Sequence, residues 1–217
     1  MSMQQKTTIR VGVVDDHSLI REGVKSILKR HPDISVVGEA GSSQEALDLC
    51  HRRSLDVMIL DINLPGRNGL EVLKEVRNLQ PRLPVLMLSM HPEERFALRS
   101  LRSGAAGYLN KESIAEELVT AIRKVVMGGR YVSPKTAEIL AAEIVRPPEQ
   151  MPHERLSDRE FQVLCLIAQG ISVTKIALQL SLSIHTINTY RARILEKMDL
   201  HSTAELIHYG VQNRLAE

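Results

Sequence analysis

The sequence predicts two unlike parts in one chain: an α/β part on a doubly wound, five-stranded parallel sheet, then a small all-α part of four helices. Three observations predict this. Short β-branched or apolar runs alternate with helical stretches five times before residue 130, as a parallel sheet with crossover helices requires. The runs lack polar alternation, like strands covered on both faces. A joint at Arg146-Pro147-Pro148-Glu149-Gln150-Met151-Pro152 holds three of the nine prolines and reads as extended linker, because proline removes a donor and fixes φ. No strand pattern follows it. The 217 residues suit two domains, placed at 8–129 and 154–217, with a linker carrying a helix across 130–153.

The first strand, residues 9–14, ends at Asp15-Asp16. Residues 19–30 follow as a helix with Ile20, Val24, Ile27 and Leu28 on one face. A second strand covers 35–40. Ser42 with Glu45 spells a capping box for a helix through about residue 53. The apolar strand 57–60 ends at Asp61, and helix 69–79 is followed by Pro81 and Pro84. Strand 85–88 ends at Ser89, and helix 92–103 stops at Gly104. The fifth strand, 106–109, ends near Lys111. Ser113 with Glu116 spells a second capping box, for a helix to Met127 that Gly128-Gly129 closes. Residues 131–143 have helical character, with Ser133-Pro134 as the start. Past the joint, Ser157 with Glu160 opens a helix bearing Phe161, Leu164, Cys165, Ile167 and Ala168, which Gly170 ends. A short helix 173–180, the turn Ser181-Leu182-Ser183 and a longer helix 184–198 capped by Ser183 read as helix-turn-helix. A last helix covers 203–213.

Composition narrows the function classes. Hydrophobic residues at 43% and charged residues at 25% describe a globular chain, not a disordered one. No apolar run reaches the roughly 18 residues of a membrane span. The start, MSMQQKTTIR, lacks the apolar centre of a signal peptide. A cytoplasmic protein without a membrane partner is therefore expected, with residues 1–8 as a disordered tail. Cys50 and Cys165 are too few for a disulfide scaffold or zinc cluster and read as buried thiols. Absent Trp and 3% aromatics argue against a platform for stacking single-stranded bases.

In doubly wound sheets, chemistry gathers at the carboxyl ends of the strands. Here those ends carry Asp15, Asp16, Asp61, Ser89 and Lys111. Singly, each has a bland reading: Asp16 as a turn former, Ser89 as a helix cap, Lys111 as a solvated charge. Together, on four strand ends, they describe a site. Neighbouring acids in a cleft raise one another's pKa unless a cation sits among them. Oxygen ligands favour Mg2+, which also neutralises phosphoryl oxygens. A carboxylate can be the nucleophile that forms an aspartyl phosphate. A lysine can pair with phosphoryl oxygens, and a serine hydroxyl can hydrogen-bond one.

Val13-Val14-Asp15-Asp16-His17, Leu60-Asp61-Ile62-Asn63-Leu64-Pro65-Gly66, Ser89 and Gly107-Tyr108-Leu109-Asn110-Lys111 together resemble the receiver domain of two-component response regulators, a flavodoxin-like fold. The resemblance spans about residues 9–128. It implies that Asp61 is the phosphoacceptor. It implies Mg2+ held by Asp15, Asp16, Asp61 and the backbone carbonyl of Asn63. Ser89 would follow an arriving phosphoryl group, Tyr108 would turn inward with it, and Lys111 would pair with its oxygen. One departure stands out. Many receivers place proline in a cis bond after the lysine, where this chain has Glu112; without proline a cis bond costs about 2.5–4 kcal/mol.

In a helix-turn-helix the second helix enters the major groove with its N-terminal residues near base edges. Ile184, Ile187, Ile194 and Leu195 should face inward, leaving His185, Asn188, Thr189 and Arg191 outward. Asn suits adenine, Arg suits guanine, and Thr suits phosphate or a thymine methyl. Ser183 and Thr186 are candidate phosphate anchors, and Arg191, Arg193 and Lys197 concentrate positive charge. From residue 151 on, seven basic residues meet seven acidic ones, so the net charge is 7 − 7 = 0. That is weak for a nucleic-acid binder, and a small bundle for protein contact is the competing reading of the pattern alone.

Leu156-Ser157-Asp158-Arg159-Glu160, Lys175-Ile176-Ala177, Thr186-Ile187, Tyr190-Arg191, Ile194-Leu195 and Lys197-Met198 resemble the LuxR-type helix-turn-helix. Joined to a receiver, this makes the chain similar to NarL/FixJ-family response regulators. The resemblance implies a transcription factor phosphorylated on Asp61 by a sensor histidine kinase or phosphorelay protein. It implies binding to double-stranded promoter DNA as a homodimer paired through the last helix, with RNA polymerase as a candidate partner. Asn188 and Thr189 are neutral where the family is often basic, so base preference does not transfer.

Enzymatic activity is not expected beyond Mg2+-dependent self-phosphorylation from a donor and slow self-dephosphorylation. Phosphohydrolases commonly place a second acid two residues after the nucleophile, where this chain has Asn63. A flavin module would need a phosphate cradle where Asp15-Asp16-His17 stands. An adaptor that no longer takes phosphate would not need the full set of Asp15, Asp16, Asp61, Ser89 and Lys111.

Overall fold

The computed structural model describes residues 8–52, 54–145 and 151–216. The expected tail up to residue 7 and the joint at 146–150 lie outside the described residues. Residues up to Leu64 together with Gly69–Ala137 form one compact unit. Residues from Glu138 on, together with Pro65–Asn68, form the second.

In the first unit, β1 (Ile9–Val14), β2 (Ile34–Ala40), β3 (Val57–Asp61), β4 (Val85–Ser89) and β5 (Gly107–Asn110) pair in the order β2-β1-β3-β4-β5, all parallel. Helices α1 (Ser18–Leu28), α2 (Ser43–Arg52), α3 (Gly69–Leu79), α4 (Glu93–Arg102) and α5 (Ile114–Val126) connect and follow the strands. The order reverses at β1, so the connections leaving β1 and β3 diverge and a crevice opens at their carboxyl ends. Every residue of β3 and β4 is buried, as both-face coverage demands. Val11, Val13, Ile59, Leu86, Leu88 and Leu109 of the sheet pack with Val24, Leu28, Leu118 and Ile122 of the helices in one core. Gly69 lets α3 start against the end of β3: a Cβ there would stand 2.0 Å from the Asp61 carbonyl oxygen.

Two capping expectations need correction. Ser42 Oγ accepts the Glu45 N–H at 3.3 Å, but the Glu45 carboxylate accepts from Gly41 N–H at 2.7 Å rather than from Ser42. The box at Ser113 does not form. Ser113 sits at φ −100°, ψ 4° without a side-chain cap bond, and its hydroxyl donates to the Asn110 carbonyl at 3.5 Å. Its own N–H also goes to Asn110 O. Closing that turn removes the extended backbone a cap residue needs.

After α5 the chain turns at Gly128 (φ +85°) and Tyr131 forms a parallel bridge with Gly107 beside β5. Then α6 (Pro134–Val145) begins, with Ser133 Oγ accepting the Thr136 N–H at 3.0 Å.

Past residue 150 the second unit goes on with a 3-10 helix, Pro152–Arg155, where the sequence suggests extended linker. Pro152 stands at its start, where a missing N–H costs nothing. Four α-helices follow: α7 (Asp158–Ala168), α8 (Val173–Gln179), α9 (Ile184–Met198) and α10 (Thr203–Gln212). Each begins with a serine, Ser157, Ser172, Ser183 or Ser202, whose side chain accepts a backbone N–H three residues on. Each ends in a left-handed residue: Gly170, Ser181, Asp199 and Arg214 have φ of +74°, +53°, +55° and +56°. The N–H of the next residue then reaches five back, as Leu182 does to Ala177 O at 2.9 Å and Leu200 to Leu195 O at 2.9 Å. Ile176, Ile187, Ile194 and Leu206 are fully buried. Leu195 is half-buried, and Ile184 is 49% exposed rather than inward. As the first residue of α9, Ile184 stands a turn ahead of the packed stripe of Ile187, Ile194 and Met198.

Candidate functional site

At the crevice, Asp15 follows β1, Asp61 ends β3, Ser89 ends β4 and Lys111 follows β5. Lys111 Nζ lies 2.7 Å from Asp15 Oδ2 and 2.8 Å from Asp61 Oδ2. Its side chain is only 5% exposed and both carboxylates are fully buried, so it is no solvated surface charge. The other oxygen of each carboxylate is held by its own loop. Asp15 Oδ1 accepts the His17 N–H at 2.9 Å, and Asp61 Oδ1 accepts the Asn63 N–H at 3.2 Å.

Burial pushes the Asp61 carboxyl up to about 6; Lys111 opposes this and Asp15 adds to it. Burial pulls the Lys111 ammonium down, but Asp61 and Asp15 outweigh it and leave the pKa above its ordinary value. A cation is therefore the natural complement of this site. Ligand atoms of Asp15, Asp16, His17 and Asp61 all lie within 4.8 Å of one another. Three carboxylates against one ammonium leave a deficit that a divalent ion balances, and hard oxygen donors suit such an ion. Asp16 is partly exposed, and its Oδ1 lies 2.7 Å from His17 Nδ1. The peptide bond between Lys111 and Glu112 is trans, as are all others among the described residues.

Of the expected switch residues Ser89, Tyr108 and Lys111, the first two converge on one loop residue that the sequence did not single out. Ser89 Oγ accepts the His91 N–H at 3.0 Å, and the buried Tyr108 donates its hydroxyl to the His91 carbonyl at 2.7 Å. Tyr108 already lies inward, 1% exposed. The His91 ring stacks on Phe96 at 4.9 Å between centroids and its Nε2 lies 3.3 Å from Asn63 Nδ2. Burial, then Arg95 and Lys111, pull its pKa down to about 4, so the ring is neutral at pH 7. A lone histidine in a loop carries no sequence signal for this.

The second candidate surface is the start of α9. Ser183, His185 and Arg193 are exposed, while Thr186, Asn188, Thr189 and Arg191 are half-buried. Ser183 Oγ caps the helix and lies 2.8 Å from Thr186 Oγ1, and the Thr189 hydroxyl donates to His185 O at 3.0 Å. Lys197 is engaged within its own unit: Nζ donates to both oxygens of Glu160, at 2.9 and 2.7 Å. Glu160 also accepts the Ser157 N–H at 2.8 Å, completing the capping box of α7. Burial alone would raise the Glu160 pKa, but Lys197 and Ser157 hold it below the ordinary range. Lys197 thus fastens α9 to the start of α7.

The family model for the response regulator receiver domain matches residues 11–123, and the model for bacterial regulatory proteins of the luxR family matches residues 154–210. The chain belongs to the NarL/FixJ family of response regulators. Response regulator UvrY of Escherichia coli K12 is 36% identical over 208 residues, 95% of each chain. Response regulator GacA of Pseudomonas aeruginosa PAO1 is 38% identical over 210 residues, 96% of this chain and 98% of that one. A solved complex of the two-component response regulator RcsB with DNA is similar at 26% identity and TM-score 0.57, covering 93% of this chain and 97% of that one. This response regulator therefore carries a LuxR-type DNA-binding domain for transcription regulation. Among its described residues no helix is long and apolar enough to cross a membrane.

Proposed function

We propose that the chain is a phosphorylation-gated transcription factor whose phosphoacceptor is Asp61. One observation carries this reading: the ammonium of Lys111 is shared between the buried carboxylates of Asp15 and Asp61. A sensor histidine kinase or phosphorelay protein supplies the phosphoryl group. An Asp61 carboxylate oxygen forms the new bond to phosphorus as the donor's bond breaks. A small-molecule donor serves the same self-phosphorylation, and water later hydrolyses the acyl phosphate slowly. Asp15, Asp16, Asp61 and the Asn63 carbonyl would hold Mg2+, which balances the charge that gathers during transfer. Lys111 pairs with a phosphoryl oxygen, Ser89 donates its hydroxyl to another, and Tyr108 is kept inward.

The working parts are a receiver at 8–129, a linker at 130–153 and a DNA-binding domain at 154–217. Phosphorylation favours a homodimer on promoter DNA in the cytoplasm, with RNA polymerase as the next partner. Two recognition helices on one duplex gain affinity through effective concentration. Ser183 and Thr186 face phosphates, while His185, Asn188, Thr189, Arg191 and Arg193 face the groove. Lys197 contributes by holding α9 in place. The test is selection of bound sequences from random duplex DNA with Mg2+ and acetyl phosphate, repeated with Asp61→Asn. An inverted repeat enriched by the wild type and weakened in the variant is expected. Equal enrichment in both would remove phosphorylation as the gate.

A further inference from the structure

The segment after α5 is fastened to the first unit by more than chain connectivity. Tyr131 donates its N–H to Ala106 O at 2.8 Å and its hydroxyl to Glu117 of α5 at 2.7 Å. Ser133 and Thr136 both donate their hydroxyls to one oxygen, Oε2 of Glu93, at the start of α4. Glu93 is 7% exposed, Ser133 4% and Thr136 1%. Nearby, Lys135 pairs with Glu94 at 2.8 Å.

One carboxylate thus serves two helix N-termini. Glu93 is the first residue of α4, which has no side-chain cap of its own because Pro92 precedes it. Ser133 caps α6 by accepting the Thr136 N–H while it donates to Glu93. A negative charge is favoured at a helix N-terminus, and here two first turns share it. Burial makes the arrangement demanding, because a carboxylate out of water needs its donors.

Upstream, both switch side chains grip His91, the residue two positions before Glu93. Ser89 holds its N–H and Tyr108 holds its carbonyl. Only Pro92 intervenes, and its ring fixes φ, so little slack separates His91 from Glu93. Downstream, the first turn of α6 groups with the first unit, while from Glu138 the same helix runs on within the second.

We infer that Glu93 is the positioning residue that couples the switch side chains to the linker helix. Inward Tyr108 and the grip of Glu93 on Ser133 and Thr136 belong to one state. Phosphorylation of Asp61 tightens that grip; this last step rests on the phosphoacceptor reading above, and the rest does not.

Hydrogen exchange in the full chain tests the coupling at the amides of Thr136 and Ala137, which bond to Ser133 Oγ and Ser133 O. Glu93→Gln should speed exchange there about tenfold, the scale of one hydrogen bond to a charged group. Thr136→Val keeps the shape and should speed it less. Tyr108→Phe removes only the hydroxyl on His91, yet should speed the same amides, with less than additive effect on top of Glu93→Gln. Unchanged exchange in Tyr108→Phe would overturn the coupling and leave Glu93 a static anchor. With Mg2+ and acetyl phosphate, exchange should slow in the wild type but not in Glu93→Gln, with phosphate uptake followed by intact mass. Uptake without slowing overturns the coupling. Absent uptake overturns the phosphoacceptor reading instead, and the Tyr108→Phe comparison still decides the clamp.

Discussion

The two units secure their helices by opposite means. In the second unit α7, α8, α9 and α10 each carry local punctuation, a serine cap at the start and a left-handed residue at the end. In the first unit α1, α4 and α5 begin without any side-chain cap bond. Those three helices follow β1, β4 and β5, three of the four strands whose ends build the site. Polar side chains there are turned to other work: Asp15 holds its loop and Lys111, and Ser89 holds His91. Capping returns at α2, after the edge strand β2, which contributes nothing to the site. A helix packed on a sheet can forgo its cap and free a polar residue for chemistry. A seven-residue helix such as α8 has no sheet beneath it and cannot.

The sharpest break between the units is Asp61→Asn. It should abolish phosphate uptake from acetyl phosphate, read by intact mass, while basal DNA binding by the second unit persists. The converse variants, Asn188→Ala and Arg193→Ala, should each weaken DNA binding by roughly 1–3 kcal/mol, about tenfold or more. Phosphate uptake should be unchanged in both; equal losses in uptake would mean that the two regions are not separable.

Asp61→Asn should also stabilise the protein without metal at pH 7, on the order of 1–3 kcal/mol, because a buried carboxyl raised to about 6 disfavours its charged form. Its protonation stabilises the fold fully below the unfolded value near 4, and that contribution is lost as pH rises toward 6. His91 acts in the opposite sense. Its folded pKa of about 4 gives stability that is present above the unfolded value near 6.5 and lost as pH falls through 4. Urea midpoints between pH 4 and 6 should therefore be flatter in the wild type than in Asp61→Asn, where the His91 slope stands alone.

Smaller effects probe the capping contrast directly. Ser172→Ala should cost about 1 kcal/mol, while Ser113→Ala should fall within about 0.5 kcal/mol of wild type. Equal costs would show that the caps are not what separates the units. Ser181→Gly should stabilise by roughly 0.5–1 kcal/mol in thermal unfolding, because Ser181 holds φ +53° against the preference of a side chain.

How far the sequence was legible follows the same division. Strand β1 and helix α3 begin and end where periodicity places them, because apolar runs and flanking prolines are local signals. The convergence of Asp15, Asp61 and Lys111 was legible because strand ends of a doubly wound sheet are neighbours whatever lies between them. Ser113 misled because a capping box and a turn share the same letters, and only the Asn110 turn decides. The turn at Ser181 and the end of the helix at residue 198 were legible, but the left-handed backbone of Ser181, Asp199 and Arg214 was not, since such residues are read from glycine and only Gly170 supplied one. Glu93 carries no signal in the sequence, and Lys197 reads as one of a cluster of cations for DNA. Their partners, Ser133 and Glu160, lie 40 and 37 residues away, and no periodicity reports such pairings.

The bond between Lys197 and Glu160 has a consequence for how the protein finds its operator. Sliding along random sequence depends on cations free to displace counterions from the duplex. In the DNA-binding unit basic and acidic residues cancel, 7 − 7 = 0 from residue 151 on, and one of those cations is already occupied by a carboxylate. Such a domain should hold random DNA weakly and leave it soon. For the dimer proposed above, the search should then run mainly through bulk solution, so the time to reach a promoter should depend on how many such dimers the cell holds rather than on how much DNA flanks the site.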